Sequence, residues 1–368
     1  MNPPLIGIVG SAGAYGQWLR RFFETRMQLR VIGHDPADPD SLTEAELVQR
    51  ADVLVFSAPI RHTVELIHRY RELAGGSERD RLWLDVTSIK GGPVRAMLES
   101  QAEVAGLHPM TAPPKAPTLK GRVTILCEAR LARWRPWFDG MLEALHGEYV
   151  RTSPEQHDRI MALVQAMVHA SHLAQASLLR EQAGQVGDLA ALLPFRSASF
   201  EMDAAVMARI LSLNPAIYED IQFGNPHAPD ILRDLSRQFA RMAALVGEGD
   251  DAARTAFREE FLAANHDALG AAALADGNYS YERIGYLLAD LASGKAISVH
   301  LPEDRPGSLR ELLHVFERAG VSLSSIHSSR TPQGEVHFRI GFEDDVDASA
   351  LDEATRQVEA SGLGRVLP

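Results

Sequence analysis

The chain reads as a doubly wound α/β parallel sheet, then an all-α region, then a small α+β domain. Three observations predict this. Short apolar runs that end in small or polar residues alternate with helical patterns from residue 1 to about 150. Long helical stretches with few breakers fill 151–292. A strand-helix-strand-strand-helix order, with a last strand at Arg365–Leu367, occupies 296–368.

With 368 residues the chain suits two or three cores rather than one. A net charge of -12 argues against nucleic acid or an anionic membrane surface as partner, because both need a basic face. The single cysteine, Cys127, excludes an internal disulfide and a cysteine-based zinc site. It falls in the apolar run Val123 to Cys127 and reads as a buried strand residue. No basic leader and no membrane-length apolar run is present, so a soluble, cytoplasmic protein is expected.

Leu5 to Val9 is the first strand. It runs into Gly10-Ser11-Ala12-Gly13-Ala14-Tyr15-Gly16 and then a helical pattern through Trp18, Leu19, Phe22 and Phe23. Strand, glycine turn and helix are the context of a Rossmann-type dinucleotide fingerprint. Gly13 lets a pyrophosphate approach the backbone, and Gly16 allows close helix packing. Ser11 stands where the first glycine is usual, with Gly10 one place earlier. The second strand, Leu29 to His34, ends at Asp35, whose carboxylate suits ribose hydroxyls and repels a 2'-phosphate; NAD is therefore expected over NADP. Neighbouring His34 would soften that preference. The strand Asp52 to Phe56 leads into Ser57-Ala58-Pro59, and Leu82 to Val86 leads into Thr87-Ser88-Ile89-Lys90. Small polar residues at strand C-termini are where open α/β sheets bind ligands, so Ser57, Pro59 and Ser88 join the candidates. His108, in Gly106-Leu107-His108-Pro109-Met110, is the candidate base, placed in a loop and fixed by the proline. A neutral imidazole can take a proton from an alcohol near neutral pH while a hydride leaves the same carbon.

From Gln156 to Gln182 there is neither glycine nor proline. Apolar residues occupy too much of its circumference for one exposed face, so burial between neighbours or subunits is expected. Asp158, Gln165 and His169 share a face that either bonds internally or lines a site. Further helical patterns cover 201–213, 228–246 and 250–270. His169 and His172 lack a carboxylate cluster, so no metal site is expected. Ala292-Ser293-Gly294-Lys295 reads as a linker.

Taken together, GSAGAYG, DVTSIK, GLHPM and HDRIMALVQAMVH resemble the prephenate dehydrogenase family of tyrosine biosynthesis, over about Leu5 to Leu291. The resemblance implies oxidative decarboxylation of prephenate with NAD, with His108 on the ring hydroxyl, and Ser88 beside substrate and nicotinamide with Lys90 nearby. It also implies Arg209 on a substrate carboxylate, from Met207-Ala208-Arg209-Ile210 ahead of Asn214-Pro215 and Tyr218-Glu219-Asp220-Ile221. Gln165 and His169 are placed with the substrate. A homodimer built through the helical region is likewise implied. After His108 the chain reads Thr111-Ala112-Pro113-Pro114, where the family pattern has an aromatic residue and Gly-Pro.

In the last domain, Glu303-Asp304-Arg305-Pro306-Gly307-Ser308-Leu309 resembles the turn of ACT domains, small ferredoxin-like modules that commonly bind amino acids. Pro306, Gly307, Ser308 and Leu309 then form the seat for the carboxylate of an aromatic amino-acid effector, tyrosine foremost, at a helix N-terminus. His327 interrupts the Glu-Ser-Arg run of phenylalanine-sensing relatives and leaves the effector's identity open. Three other readings stay open. Arogenate is a second substrate. A hydroxy-acid or 6-phosphogluconate-type dehydrogenase would carry a lysine on the second domain's first helix, and none occurs between Pro154 and Gln182. An amino-acid sensor with an inactive nucleotide half is the non-enzymatic reading.

Overall fold

The computed structural model describes residues 3–114, 116–292, 295–301, 305–330, 336–343 and 345–367. Ser293 and Gly294 of the expected linker, and Glu303 and Asp304 of the turn, lie outside them. The chain forms two compact units, 1–248 and 249–368.

The first unit is built on a seven-stranded sheet. Its strands are β1 (Ile6–Val9), β2 (Val31–His34), β3 (Val53–Phe56), β4 (Leu82–Asp85), β5 (Glu103–Pro109), β6 (Val123–Arg130) and β7 (Glu148–Arg151), in the spatial order β2-β1-β3-β4-β5-β6-β7. The connecting helices are α1 (Ala14–Thr25), α2 (Glu44–Arg50), α3 (Ile60–Ala74), α4 (Gly91–Leu98) and α5 (Arg135–Leu145). β1, β3 and β4 are buried at every position, as strands covered on both faces must be. One cluster, with Phe22, Phe23, Trp18 and Phe138, packs on one side. A second, with Phe56, Tyr70 and Trp83, packs separately from it.

The sheet departs from the all-parallel expectation at one place. β6 runs antiparallel to β5, pairing Gly106 with Cys127 and His108 with Ile125. The described residues of the connection form no helix, so the crossover a parallel neighbour requires is lacking.

The unit continues with α6 (Pro154–Met161), a π-helical segment Ala162–Met167, α7 (Val168–Val186), α8 (Leu189–Leu192), α9 (Ala198–Ser212), α10 (Pro215–Gly224) and α11 (Ala228–Glu248). Ser153 caps α6, and Asn214 caps α10 ahead of a proline at its first turn. The helix expected from 156 to 182 is thus interrupted by a wider turn. No residue of α7 is buried, although Leu178 and Val186 belong to it and are more than half exposed.

In the second unit, α12 (Asp251–Phe257), a π-helical segment Arg258–Ala263, α13 (Ala264–Leu269) and α14 (Ala271–Ala292) precede a four-stranded antiparallel sheet. Its strands β8 (Ala296–Leu301), β9 (Leu323–Arg330), β10 (Val336–Phe342) and β11 (Arg365–Leu367) lie in the order β11-β8-β10-β9. Helices α15 (Ser308–Arg318) and α16 (Ala348–Ala360) pack on it through Leu312, Phe316, Ala354 and Val358. This is the ferredoxin-like arrangement. In the first unit the C-terminal ends of β1 to β5 carry the glycine turn, Asp35, Ser57, Ser88 and His108, whereas Gln165, His169 and Arg209 lie on the helices that follow.

Candidate active site

The β1–α1 turn has the shape a dinucleotide needs. Gly10 takes a left-handed φ of 82°, and a Cβ there would meet Ser57 O at 2.7 Å. At Gly16 a Cβ would stand 2.1 Å from Gly10 O, so the first turn of α1 can lie against the loop only with glycine. Gly13 is the N-cap of α1, and no side chain caps that end or places a carboxylate in its first turn. The N–H groups of the Ala14-Tyr15-Gly16 turn therefore sit where a pyrophosphate is accepted. Ser11 is buried, and its Oγ and Cβ fill the space a Cβ at Gly33 would need. Asp35 Oδ2 accepts from Ala12 N at 2.9 Å and Oδ1 from Ala37 N at 2.9 Å, so the carboxylate is pinned beside the turn with lone pairs to spare. His34 is turned elsewhere, bonding Leu42 O through Nδ1 at 2.7 Å. Ser57 Oγ and Tyr15 Oη are buried with no hydrogen-bond partner among the described residues, and burial pushes the Tyr15 phenol up. Pro59 is the exposed N-cap of α3. Orphaned polar atoms beside a cradle that only glycine tolerates fit NAD.

The segment after β4 is a closed hydrogen-bond box. Asp85 Oδ1 accepts from Thr87 N and Thr87 Oγ1 at 2.9 and 2.6 Å. Asp85 Oδ2 pairs with the Lys90 ammonium, which also donates to Leu107 O at 2.9 Å. Asp85 and Lys90 are both fully buried. That corrects the expectation for Lys90: its charge is spent inside the loop and is not offered to a substrate. Removing either partner of such a pair costs roughly 3 to 5 kcal/mol, because the other charge is left buried alone. The box leaves Ser88 half-buried at its apex.

His108 is not on a loop. It lies within β5, 3% exposed, one strand over from Ser88. Burial, then His157 and the Lys90 charge, hold its imidazole well below the ordinary range, so it is neutral at physiological pH. Gly106 admits this packing, since a Cβ there would press on Lys90 Cδ and Val94 Cγ2 at 3.0 Å.

Two residues that motif reading did not assign complete the centre. His108 Nδ1 lies 2.9 Å from His157 Nε2, and His157 Nδ1 lies 2.8 Å from Asp158 Oδ1. Asp158 also accepts from the backbone of α4's N-terminus, Lys90 N on Oδ1 and Gly91 N on Oδ2, both at 2.8 Å. Burial pushes its carboxyl up, but the bonds from His157 and from those two amides outweigh it and hold the carboxyl below the usual range. Gly91 is required there: a Cβ would meet Asp158 Oδ2 at 2.8 Å. Asn225 Nδ2 donates to Asp158 O at 2.8 Å. The sequence marks both as the opening of HDRIMALVQAMVH and sets Asp158 on a helix face with Gln165 and His169, but nothing in it links them to His108. Asp158 does not share an open face with Gln165 and His169, because both its oxygens are engaged.

Gln165 lies in the π-helical segment and His169 one turn on, with Gln165 Oε1 and His169 Nδ1 buried and unbonded among the described residues. Such segments mark functional stretches of helices. The His169 ring meets Tyr218 edge-on at 4.8 Å, and burial followed by His172 lowers its imidazole. Arg209 stands exposed on α9, in no ion pair among the described residues. In the second unit Gly307, with φ 102°, is the N-cap of α15, and Ser308 Oγ accepts from Arg305 N at 3.3 Å. Pro306 and Leu309 flank it, both exposed.

Comparison with known proteins agrees with this layout. Residues 37–151 match the family model "Prephenate dehydrogenase, nucleotide-binding domain", 153–261 match "Prephenate dehydrogenase, dimerization domain", and 295–360 match "ACT domain". A Methanocaldococcus jannaschii protein named "Probable arogenate/prephenate dehydrogenase" is 27% identical over 67% of this chain and 57% of its own length. The T-protein of Haemophilus influenzae is 30% identical over 71% of this chain and 65% of its own. The chain thus spans less than two thirds of the length of these relatives. The crystal structure of prephenate dehydrogenase from A. aeolicus, in complex with hydroxyphenyl propionate and NAD+, shares the fold at a TM-score of 0.56 and 18% identity. It covers 70% of this chain and 96% of that one. Two consecutive family models span most of the first unit and the start of the second, and a third covers the C-terminal sheet, so the chain belongs to the prephenate dehydrogenase family and carries an ACT domain at its C-terminal end.

Proposed function

We propose that this chain is an NAD-dependent prephenate dehydrogenase, converting prephenate to 4-hydroxyphenylpyruvate and carbon dioxide. The observation that carries the reading is a buried, neutral His108 on the strand beside Ser88, in the same sheet as a glycine turn that fits a dinucleotide. NAD, held by Gly10, Ser11, Gly13, Ala14, Tyr15, Gly16, Asp35, Ser57 and Pro59, supplies the hydride acceptor when bound. His108 accepts the ring hydroxyl's proton, and Ser88 polarises the same oxygen. Arg209 takes a carboxylate, with Gln165 and His169 offering their unbonded atoms to the substrate's polar groups. As the hydride leaves the carbinol carbon, the bond from the ring to the carboxylate breaks and its electrons close the aromatic ring. The proton then returns from His108 to the phenolate, so none is released overall.

A homodimer and an aromatic amino-acid effector, tyrosine, complete the reading, in a cytoplasmic enzyme that uses neither nucleic acid nor membrane. The test is NADH formation by the purified chain with prephenate and, separately, arogenate. Turnover of prephenate supports the proposal. Turnover of arogenate alone replaces the substrate, and no turnover of either overturns the reading.

A further inference from the structure

We propose that His157, backed by Asp158, is a positioning residue that holds His108 in its Nδ1–H form and shares its proton while the reaction runs. The inference rests on the reading of His108 as the base. Its ground is a count of donors and acceptors along one line. Asp158 accepts two backbone N–H groups and one imidazole, and its carboxyl lies below the usual range; it is ionised and donates nothing. His157 Nδ1 must therefore carry the hydrogen of the 2.8 Å bond to Asp158. That leaves His157 Nε2 as an acceptor, so His108 Nδ1 carries the hydrogen of the 2.9 Å bond between the rings. His108 Nε2 is then bare, the state a base needs. Among the described residues neither ring has a further hydrogen-bond partner, and both are buried, at 3% and 0% exposure.

The same line says where the charge goes. When Nε2 of His108 takes the hydroxyl proton, its Nδ1 proton can pass to Nε2 of His157. The positive charge then faces Asp158 instead of resting on His108 near the Lys90 ammonium. On return of the proton to the phenolate both transfers reverse, and the balance closes with no proton lost. The charged groups that act on the pair are Asp158 on α6 and Lys90 of the box; Cys127 on β6, which senses the same Lys90 and Asp158, has its thiol pushed up by burial to about 12 and so stays neutral.

Two variants and one measurement on the unaltered protein test this. His157→Gln keeps an acceptor for His108 Nδ1 but cannot take a proton. We expect kcat to fall by about tenfold or more, with the KM for substrate and the affinity for NAD within about twofold of the parent. The acid limb of kcat/KM should move to lower pH, because it then reports His108 alone. A proton inventory in mixed H₂O and D₂O should change from curved to linear. Asp158→Asn offers an amide N–H to His157, which reverses the line and caps His108 Nε2; by analogy with a triad aspartate, kcat should drop on the order of 10³- to 10⁴-fold. In the unaltered protein, ¹⁵N NMR of labelled histidines should find His108 protonated at Nδ1. Protonation at Nε2, or a His157→Gln enzyme with unchanged rate, acid limb and inventory, overturns the proposal. If His157→Gln does not fold, the tautomer measurement decides. Absence of turnover in the parent enzyme would sink the function reading alone, since the tautomer is read without substrate.

Discussion

Asparagine at position 108 keeps a side chain that can donate to His157 and occupies less than the imidazole's volume, so it removes proton acceptance with little else. His108→Asn should therefore bind NAD as the parent does, by fluorescence titration, and turn over at least about a hundredfold more slowly. Normal turnover would make His108 a packing residue. Arg209 predicts a different signature. Its guanidinium is exposed and in no ion pair among the described residues, so Arg209→Ala disturbs little of the protein itself. Loss of a charge-assisted bond to a carboxylate should raise KM roughly ten- to a hundredfold with a smaller effect on kcat, and an unchanged KM removes Arg209 from the site. At this scale the sequence was readable where a motif fixes a residue to a local turn, as with Gly10, Gly16 and Asp35. It misled at Lys90, because Asp85, Lys90's partner, looks like an ordinary strand end. It was silent on the bond between His108 and His157, which joins residues 49 apart with no local pattern between them.

Elements were legible in proportion to their burial. β1, β3 and β4, buried throughout, stand out as apolar runs, whereas β7 (Glu-Tyr-Val-Arg) has no buried residue and no apolar run to mark it. The reversal of β6 left no trace in its own residues, since direction is set by a connection whose described residues form no helix. The π-helical turn at Ala162–Met167 is equally hidden, because its residues keep an ordinary apolar pattern. The expectation that the Gln156–Gln182 stretch is buried between neighbours or subunits meets an α7 with no buried residue in the isolated chain. Leucine at 57% exposure in that helix makes a direct test of the proposed dimer. Leu178→Asp should weaken self-association by at least about tenfold in sedimentation experiments, because a carboxylate would enter an apolar contact. It should leave the far-ultraviolet circular dichroism spectrum nearly unchanged. Equal association by the variant would take α7 out of the interface.

At the scale of the whole molecule, the question is whether the ACT domain speaks to a site in the other unit of the chain. The seat proposed for tyrosine's carboxylate is the N-terminus of α15, where Gly307 is the N-cap and no side chain among the described residues caps the helix. Leu309 sits in its first turn at 40% exposure. A glutamate at 309 would place a fixed negative charge against that helix end, a favourable position for α15 itself and an unfavourable one for an arriving carboxylate. Tyrosine also resembles the aromatic product, so inhibition of the parent enzyme does not by itself identify the seat. The expected result for Leu309→Glu is a half-inhibitory tyrosine concentration raised about tenfold or more, with kcat and KM for prephenate unchanged. Coupling between two sites demands that tyrosine bind one state of the enzyme better than another, and weakening its seat must weaken its effect to the same degree. If parent and variant instead respond alike across the titration, tyrosine competes at His108 and the ACT domain is not its sensor.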